Sequence, residues 1–261
     1  MKAIRSAVAA CVAAAALAVA APAGAQDKMQ LRIGTEGAYP PFNYYDSDRN
    51  LVGFDVEIAK ALCEEMNAEC TFVAQDWDGI IPALRSNKFD AIIASMSITP
   101  ERDEVVDFTN KYYNTPPALA VPKDSDIEST DPKALDGYVM GAQSATTHAN
   151  YAEKYYGTSD LRRYGTPEEY KLDLASGRID AAIDDVVVLS DWVESDDGDC
   201  CKILGVLTPD PVINGLGAGI AIREGEDELR DQFNAAIEAI RANGKYEEIN
   251  DKYFAFDVYG D

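Results

Sequence analysis

The feature that most constrains this chain is an internal echo. Leu84-Arg-Ser-Asn-Lys-Phe-Asp90-Ala-Ile-Ile-Ala-Ser95 aligns position for position with Leu174-Ala-Ser-Gly-Arg-Ile-Asp180-Ala-Ala-Ile-Asp-Asp185. Each copy reads as a helix end, a turn and a strand that opens on Asp-Ala. The same unit met twice implies two similar lobes. Ligands of open α/β sheets sit beyond the carboxyl ends of the strands, so Ser95 and Asp185 occupy equivalent strand-end positions. If the lobes face each other, so do these two residues.

Short strands alternate with helices along the rest of the chain, the pattern of an α/β protein. Leu31-Arg-Ile reads as a strand, followed by a helix from Asp55 to Asn67, a strand Thr71 to Val73, a helix Asp78 to Ser86 and a strand Phe89 to Ala94. Thr99-Pro100 and Thr166-Pro167 place Thr at N-cap and Pro at the first helical position, and Glu169 completes a capping box. Tyr138 to Met140 reads as another strand. Two proline-bearing connections, Tyr112 to Pro117 and Thr208 to Gly217, read as hinge strands between the lobes. The expected division is 26–115 with 213–261 as lobe 1 and 116–212 as an inserted lobe 2. Helices from Glu228 to Asn243 and Tyr246 to Phe254 then pack back on lobe 1.

The first 25 residues read as an export signal, with Lys2 and Arg5 ahead of an Ala/Val run and an Ala23-Gly24-Ala25 cleavage box. Cys11 stands too early in that run to serve a lipoprotein box, so the expectation is a soluble, unanchored periplasmic protein. Removing Lys2 and Arg5 leaves 21 basic against 46 acidic residues, a net charge of −25. That surface repels nucleic acid and anionic lipid. In an oxidising compartment the first expectation for Cys63 and Cys70, seven apart, is a disulfide that closes a small loop. For Cys200 and Cys201 a strained vicinal disulfide, free thiols and a crosslink all stay open.

Four separated segments carry a more specific signal: Ile33-Gly-Thr-Glu-Gly-Ala-Tyr-Pro-Pro-Phe42, Gly53-Phe-Asp-Val-Glu57, Phe89 through Ile98-Thr-Pro-Glu-Arg102, and Lys252 to Asp261. In this order they resemble the periplasmic amino-acid-binding proteins of ABC importers, in particular the branch that binds lysine, arginine, ornithine and histidine. The resemblance covers essentially the whole chain after the signal. It implies the two-lobed type II periplasmic binding fold, each lobe a mainly parallel sheet flanked by helices, with two hinge strands between. The cysteines at 63 and 70 match that branch too.

An amino acid presents a carboxylate and an ammonium a few ångström apart, so a selective site needs a fork of donors and a fixed acceptor. Arg102, just past a helix N-cap, supplies the fork; a surface ion pair with Glu101 or Asp103 is the competing reading. Ser95 and Ser97 share its strand end, where Ser97 and Thr99 can also cap the helix. Thr146 and Thr147, in a segment that opens a helix after a strand, offer backbone N–H groups to an anion. The resemblance assigns the ligand's α-ammonium to Asp185, its aliphatic stem to a sandwich of Tyr39 and Trp77, and its distal cation to Glu36, where the relatives have Asp. It also places Ala94, in place of a serine, and Ala142 in the ligand set. Asp184 is expected to point away and meet solvent by strand alternation, and His148 to be an exposed spectator.

The reading is therefore a binding protein, not an enzyme, that closes on a basic L-amino acid and delivers it to membrane permease subunits. An arginine-derived opine or a neutral polar amino acid is the alternative ligand. A periplasmic dehydratase on the same scaffold ranks lower, because carboxylates are the sole acid–base groups expected in the cleft. No cofactor, metal or nucleic acid is expected. A chemoreceptor is a further candidate partner, and the chain is read as a monomer.

Overall fold

The computed structural model describes residues 28–260, so the export signal assigned to residues 1–25 and the lipoprotein-box question at Cys11 lie outside the described residues. In chain order the elements are β1 (Met29–Thr35), the short ribbon β2 (Ala38–Tyr39), β3 (Asn43–Tyr45) and β4 (Leu51–Val52), α1 (Phe54–Glu65), β5 (Ala68–Ala74), α2 (Ile80–Arg85), β6 (Ala91–Ile92), α3 (Pro100–Asp103) and β7 (Asp107–Tyr113). The chain then crosses into β8 (Pro117–Pro122), β9 (Val139–Gln143), α4 (Thr147–Tyr155), β10 (Asp160–Tyr164), α5 (Pro167–Ala175), β11 (Ala181–Asp185), α6 (Val186–Val193) and β12 (Cys201–Val206). It returns through β13 (Ala218–Ile222) and ends in α7 (Asp227–Ala242) and α8 (Lys245–Tyr253).

Two five-stranded sheets result, ordered β5-β1-β6-β13-β7 and β10-β9-β11-β8-β12. They are built to one plan. In each, the first three strands in that order are parallel, and the fourth pairs antiparallel with both neighbours. That fourth strand, β13 in one sheet and β8 in the other, is the one on which the chain arrives from the opposite lobe. A strand that enters from the cleft side must run against strands whose carboxyl ends point toward the cleft, so the two crossings dictate the mixed sheets.

The echo has a local cause. Asn87 and Gly177 both sit in the left-handed region, at φ 60 and φ 70, where they end α2 and α5. Three residues on, Asp90 accepts the N–H of Arg32 at 2.9 Å and Asp180 that of Val139 at 2.8 Å. Each aspartate fastens its strand to the neighbouring strand of its sheet. The β6 ladder is shorter than the strand expected from Phe89 to Ala94, because the backbone leaves the sheet after Ile93 and turns left-handed at Ser95, φ 56. Trp77–Gly79 forms a 3₁₀ turn before α2, so the expected single helix from Asp78 is split.

The helix starts follow the sequence signals. Thr99 caps α3 by accepting from the Arg102 N–H, and Thr166 with Glu169 forms the capping box of α5. The buried residues of α7, Phe233, Ala236, Ile237 and Ile240, recur at helical spacing and pack with β1 and α1 in the first lobe. Cys63 and Cys70 are disulfide-bonded with Cα atoms 6.2 Å apart, tying α1 to β5. Cys200 and Cys201 are bonded to each other at the start of β12.

Candidate functional site

A cavity lies between the carboxyl ends of the two sheets, in two adjoining parts. Glu36, Trp77, Ala94, Arg102, Gln143 and Thr146 line one part. Thr115 and Asp185 line the other, and Tyr39, Ser95, Ser97, Thr147 and His148 border both. Of the residues expected from the sequence, Ala142 stands apart. Its side chain is fully buried in the second-lobe core with Met140, Ala149 and Ile183, because along β9 it is the neighbouring Gln143 that faces the cleft.

The first-lobe wall is set by a buried carboxylate. Asp55, in the first turn of α1, accepts hydrogen bonds from Asn43 Nδ2 at 2.8 Å, Tyr112 Oη at 2.8 Å and Ser95 Oγ at 2.9 Å. The Ser95 hydroxyl therefore points down into the lobe, and its N–H is held by Tyr112 Oη at 2.9 Å. This network supports the left-handed turn at Ser95, a conformation that costs free energy in a residue with a Cβ. Burial pushes the Asp55 carboxyl up to about 6, against the three donors, which pull it down.

Arg102 and Trp77 form the next part of the wall. The guanidinium stacks over the indole, 5.3 Å from its centroid, and donates to the Ser97 carbonyl at 3.0 Å and the Ala145 carbonyl at 3.2 Å. Trp77 Nε1 donates to that same Ala145 carbonyl, at 3.1 Å. One face of the indole thus carries Arg102, while Trp77 still lines the cavity. Burial lowers the guanidinium to about 10, and two of its five N–H groups are spent on carbonyls of the protein.

The second lobe meets this wall directly. Thr146 caps α4, accepting from the Ala149 N–H at 3.1 Å while donating to the Gln143 carbonyl at 2.7 Å, so its hydroxyl is committed to the turn. Gln143 Nε2 donates to Glu36 Oε1 at 2.6 Å and to the Gly165 carbonyl at 3.0 Å. Burial raises Glu36 to about 7, partly opposed by this hydrogen bond, while Asp184, Asp76 and Asp78 add to the rise. Asp185 accepts from the Val187 N–H at 2.8 Å and from the Thr115 hydroxyl, and burial raises it too to about 7. Neither acid has a cationic hydrogen-bond partner among the described residues. Each is a carboxylate in a dry place that a cation would stabilise.

Two expectations fail here. Asp184 is not solvated: it is 2% exposed and accepts from Tyr39 Oη and Tyr170 Oη, each at 2.5 Å. Alternation turns it to the other face of β11, but both faces of an α/β sheet are covered, and here α5 and Tyr39 supply the cover. Nor is His148 an exposed spectator. Its side chain is 15% exposed, lines both parts of the cavity and sets Nδ1 3.2 Å from Asp184 Oδ1. Sequence reasoning also passed over Asp55 and the Gln143 side chain. The first had a readable signal, an acid set between the apolar Phe54 and Val56 at the start of a helix, whereas the second shows only once the lobes face each other.

Residues 31–256 match the family described as bacterial extracellular solute-binding proteins, family 3. The chain belongs to that family. The solute-binding protein is 47% identical over 243 residues to the L-arginine-binding protein of Pseudomonas aeruginosa, an alignment covering 92% of this chain and 93% of the relative. It is 38% identical over 233 residues to the histidine-binding periplasmic protein of Escherichia coli, covering 88% of this chain and 89% of that one. An ancestral arginine-binding protein solved bound to arginine superposes with a TM-score of 0.81 at 34% identity, over 87% of this chain and 99% of that one. The solute-binding protein shares their two-lobed fold, with the cavity just described between its lobes.

Proposed function

We propose that this protein is the extracytoplasmic solute-binding component of an ABC importer, exported to the periplasm, and that it closes on a basic L-amino acid for delivery to permease subunits. The reading takes 26–115 with 213–261 as one lobe and 116–212 as the other. Arg102 and the N–H groups at the start of α4 receive the ligand's carboxylate, Asp185 its α-ammonium and Glu36 its distal cation. Tyr39, Ser95, Ser97, Trp77, Ala94 and Thr147 shape the space between. Thr146 acts by holding the turn. No chemical step is part of this role.

One observation carries the choice of ligand. Glu36 and Asp185 lie in different parts of one cavity, the first half-buried and the second buried, both raised to about 7, and both held by neutral donors. Arginine, lysine or ornithine brings a positive charge to each. Glutamine satisfies one acid and leaves the other unpaired. Glutamate sets two carboxylates together.

Calorimetry with arginine, lysine, ornithine, glutamine and glutamate tests this. The basic ligands should bind well ahead of glutamine, and glutamate should not bind. Glu36→Gln should lose about 1.5 to 3 kcal/mol of affinity for the basic ligands, the range for a hydrogen bond to a charged group, and little for glutamine. Glutamine binding to the wild type as tightly as arginine would overturn the ligand assignment.

A further inference from the structure

We propose that His148 and Asp184 form a proton-linked sensor of the ligand's carboxylate: an amino acid bound in the cleft draws a proton onto His148, whose imidazolium is then held between that carboxylate and Asp184. The inference rests on the proposed function, because it needs a ligand whose carboxylate lies beside Arg102 and the start of α4.

The geometry is that of a carboxylate–imidazole couple with one side open to the cavity. His148 is the second residue of α4, next to Thr147, and borders both parts of the cavity. Nδ1 faces Asp184 Oδ1 at 3.2 Å. Asp184 is otherwise held by neutral donors, the hydroxyls of Tyr39 and Tyr170 and the Asp185 N–H at 2.7 Å. Lys171 on α5 acts on it from longer range, with its own ammonium 3.9 Å from Glu168. Among the described residues His148 is therefore the group placed to bring positive charge into direct contact with this buried acid.

The charges around the imidazole compete. Burial holds His148 below its ordinary value, Asp184 raises it and Arg102 lowers it further. Tyr39, Tyr113, Asp185 and Glu36 are the other titratable groups that line the cavity with it. A carboxylate arriving beside Arg102 offsets the guanidinium and offers a second acceptor, so the imidazolium becomes the favoured form. A bare cation does the opposite. The sign of the change thus reports which end of the ligand His148 meets. Counting protons in bulk would mix this uptake with the release expected from Glu36 and Asp185 when a cation reaches them, so the reading must be specific to His148.

The sequence supplies that specificity, since it contains a single histidine. The imidazole resonances of untagged protein can be followed by NMR against pH without assignment. The titration is run alone, with saturating L-arginine, and with saturating agmatine, which keeps the guanidinium and lacks the carboxylate. The expected result is a rise of about 1 to 3 in the His148 pKa with L-arginine and no rise with agmatine. Asp184→Asn should lower the His148 pKa in the absence of ligand. His148→Gln should remove the linked change in L-arginine affinity across the His148 titration, about tenfold for each unit by which the ligand raises the pKa. An unchanged or lowered pKa in the L-arginine complex overturns the proposal, as does an equal rise with agmatine. Should Asp184→Asn not fold, the wild-type titrations decide it alone. If arginine, lysine and ornithine all fail to bind by calorimetry, the proposed function falls and takes this inference with it; binding without the rise sinks only the inference.

Discussion

Replacing Asp55 by Asn should change how the protein's stability depends on pH. Asp55 is fully buried beneath the cleft wall, and its carboxyl is raised from 3.8 to about 6, chiefly by burial. A folded-state value above the unfolded one means that the protonated acid favours folding. Its contribution is fully present below pH 3.8 and is lost as pH rises through about 6. The difference of about 2.2 corresponds to roughly 3 kcal/mol, at 1.36 kcal/mol per unit. Asparagine keeps the shape, and with its oxygen in the place of Oδ2 it still accepts from Asn43 and Ser95, while the Tyr112 hydroxyl, which loses its acceptor at Oδ1, can accept from the new amide. The variant carries no charge to bury, so it escapes this loss. Chemical unfolding of both proteins across that range at fixed ionic strength is the assay, read as the difference between them so that other titrating groups cancel. The variant should gain about 3 kcal/mol on the wild type as pH rises through the window, with most of the gain below neutrality. A difference that stays constant with pH, or one that shifts toward the wild type, refutes the account of Asp55 as a buried acid held charged at a cost.

Tyr39→Phe removes the hydroxyl that crosses the cleft to Asp184 and should weaken closure by about 1.5 to 3 kcal/mol; small-angle scattering and ligand affinity should both move toward the open form, and unchanged affinity would count against the contact. Asp185→Ala should cost about 3 to 5 kcal/mol of basic-ligand binding by leaving the ligand's ammonium without its acceptor, and calorimetry showing a loss of only a few-fold in a folded variant would end that assignment. Replacing Cys63 and Cys70 together by Ser should lower stability by about 2.5 kcal/mol, the chain-entropy figure for so short a loop, with the melting temperature falling less under reductant in the variant than in the wild type, since Cys200–Cys201 remains in both. A wild-type melting temperature that falls no more under reductant than the variant's would show that this bond does not hold the fold.

The sequence by itself determined the architecture, because its decisive signals are local. The echo fixes two similar lobes through a left-handed helix end and an aspartate that clamps the neighbouring strand, both within a few residues of chain. Capping at Thr99 and Thr166 and the helical spacing in α7 are read the same way. Most of the cavity wall was legible too, through strand-end or helix-start position for Ser95, Ser97, Arg102 and Asp185 and through the family resemblance for Glu36, Tyr39 and Trp77. Only the tertiary structure decided where the buried charges go. Asp184 looked solvated and His148 idle because alternation and helix position say which way a side chain leaves its own element and nothing about what covers that face. Asp184 is covered by Tyr39, more than a hundred residues away and in the other lobe, and His148 lies against Asp184. Trp77 likewise carries Arg102 on one face, a contact between separate elements that no local pattern announces. Long-range electrostatics is set by which surfaces meet, and a pattern of residues along one chain does not encode that until the lobes are brought together.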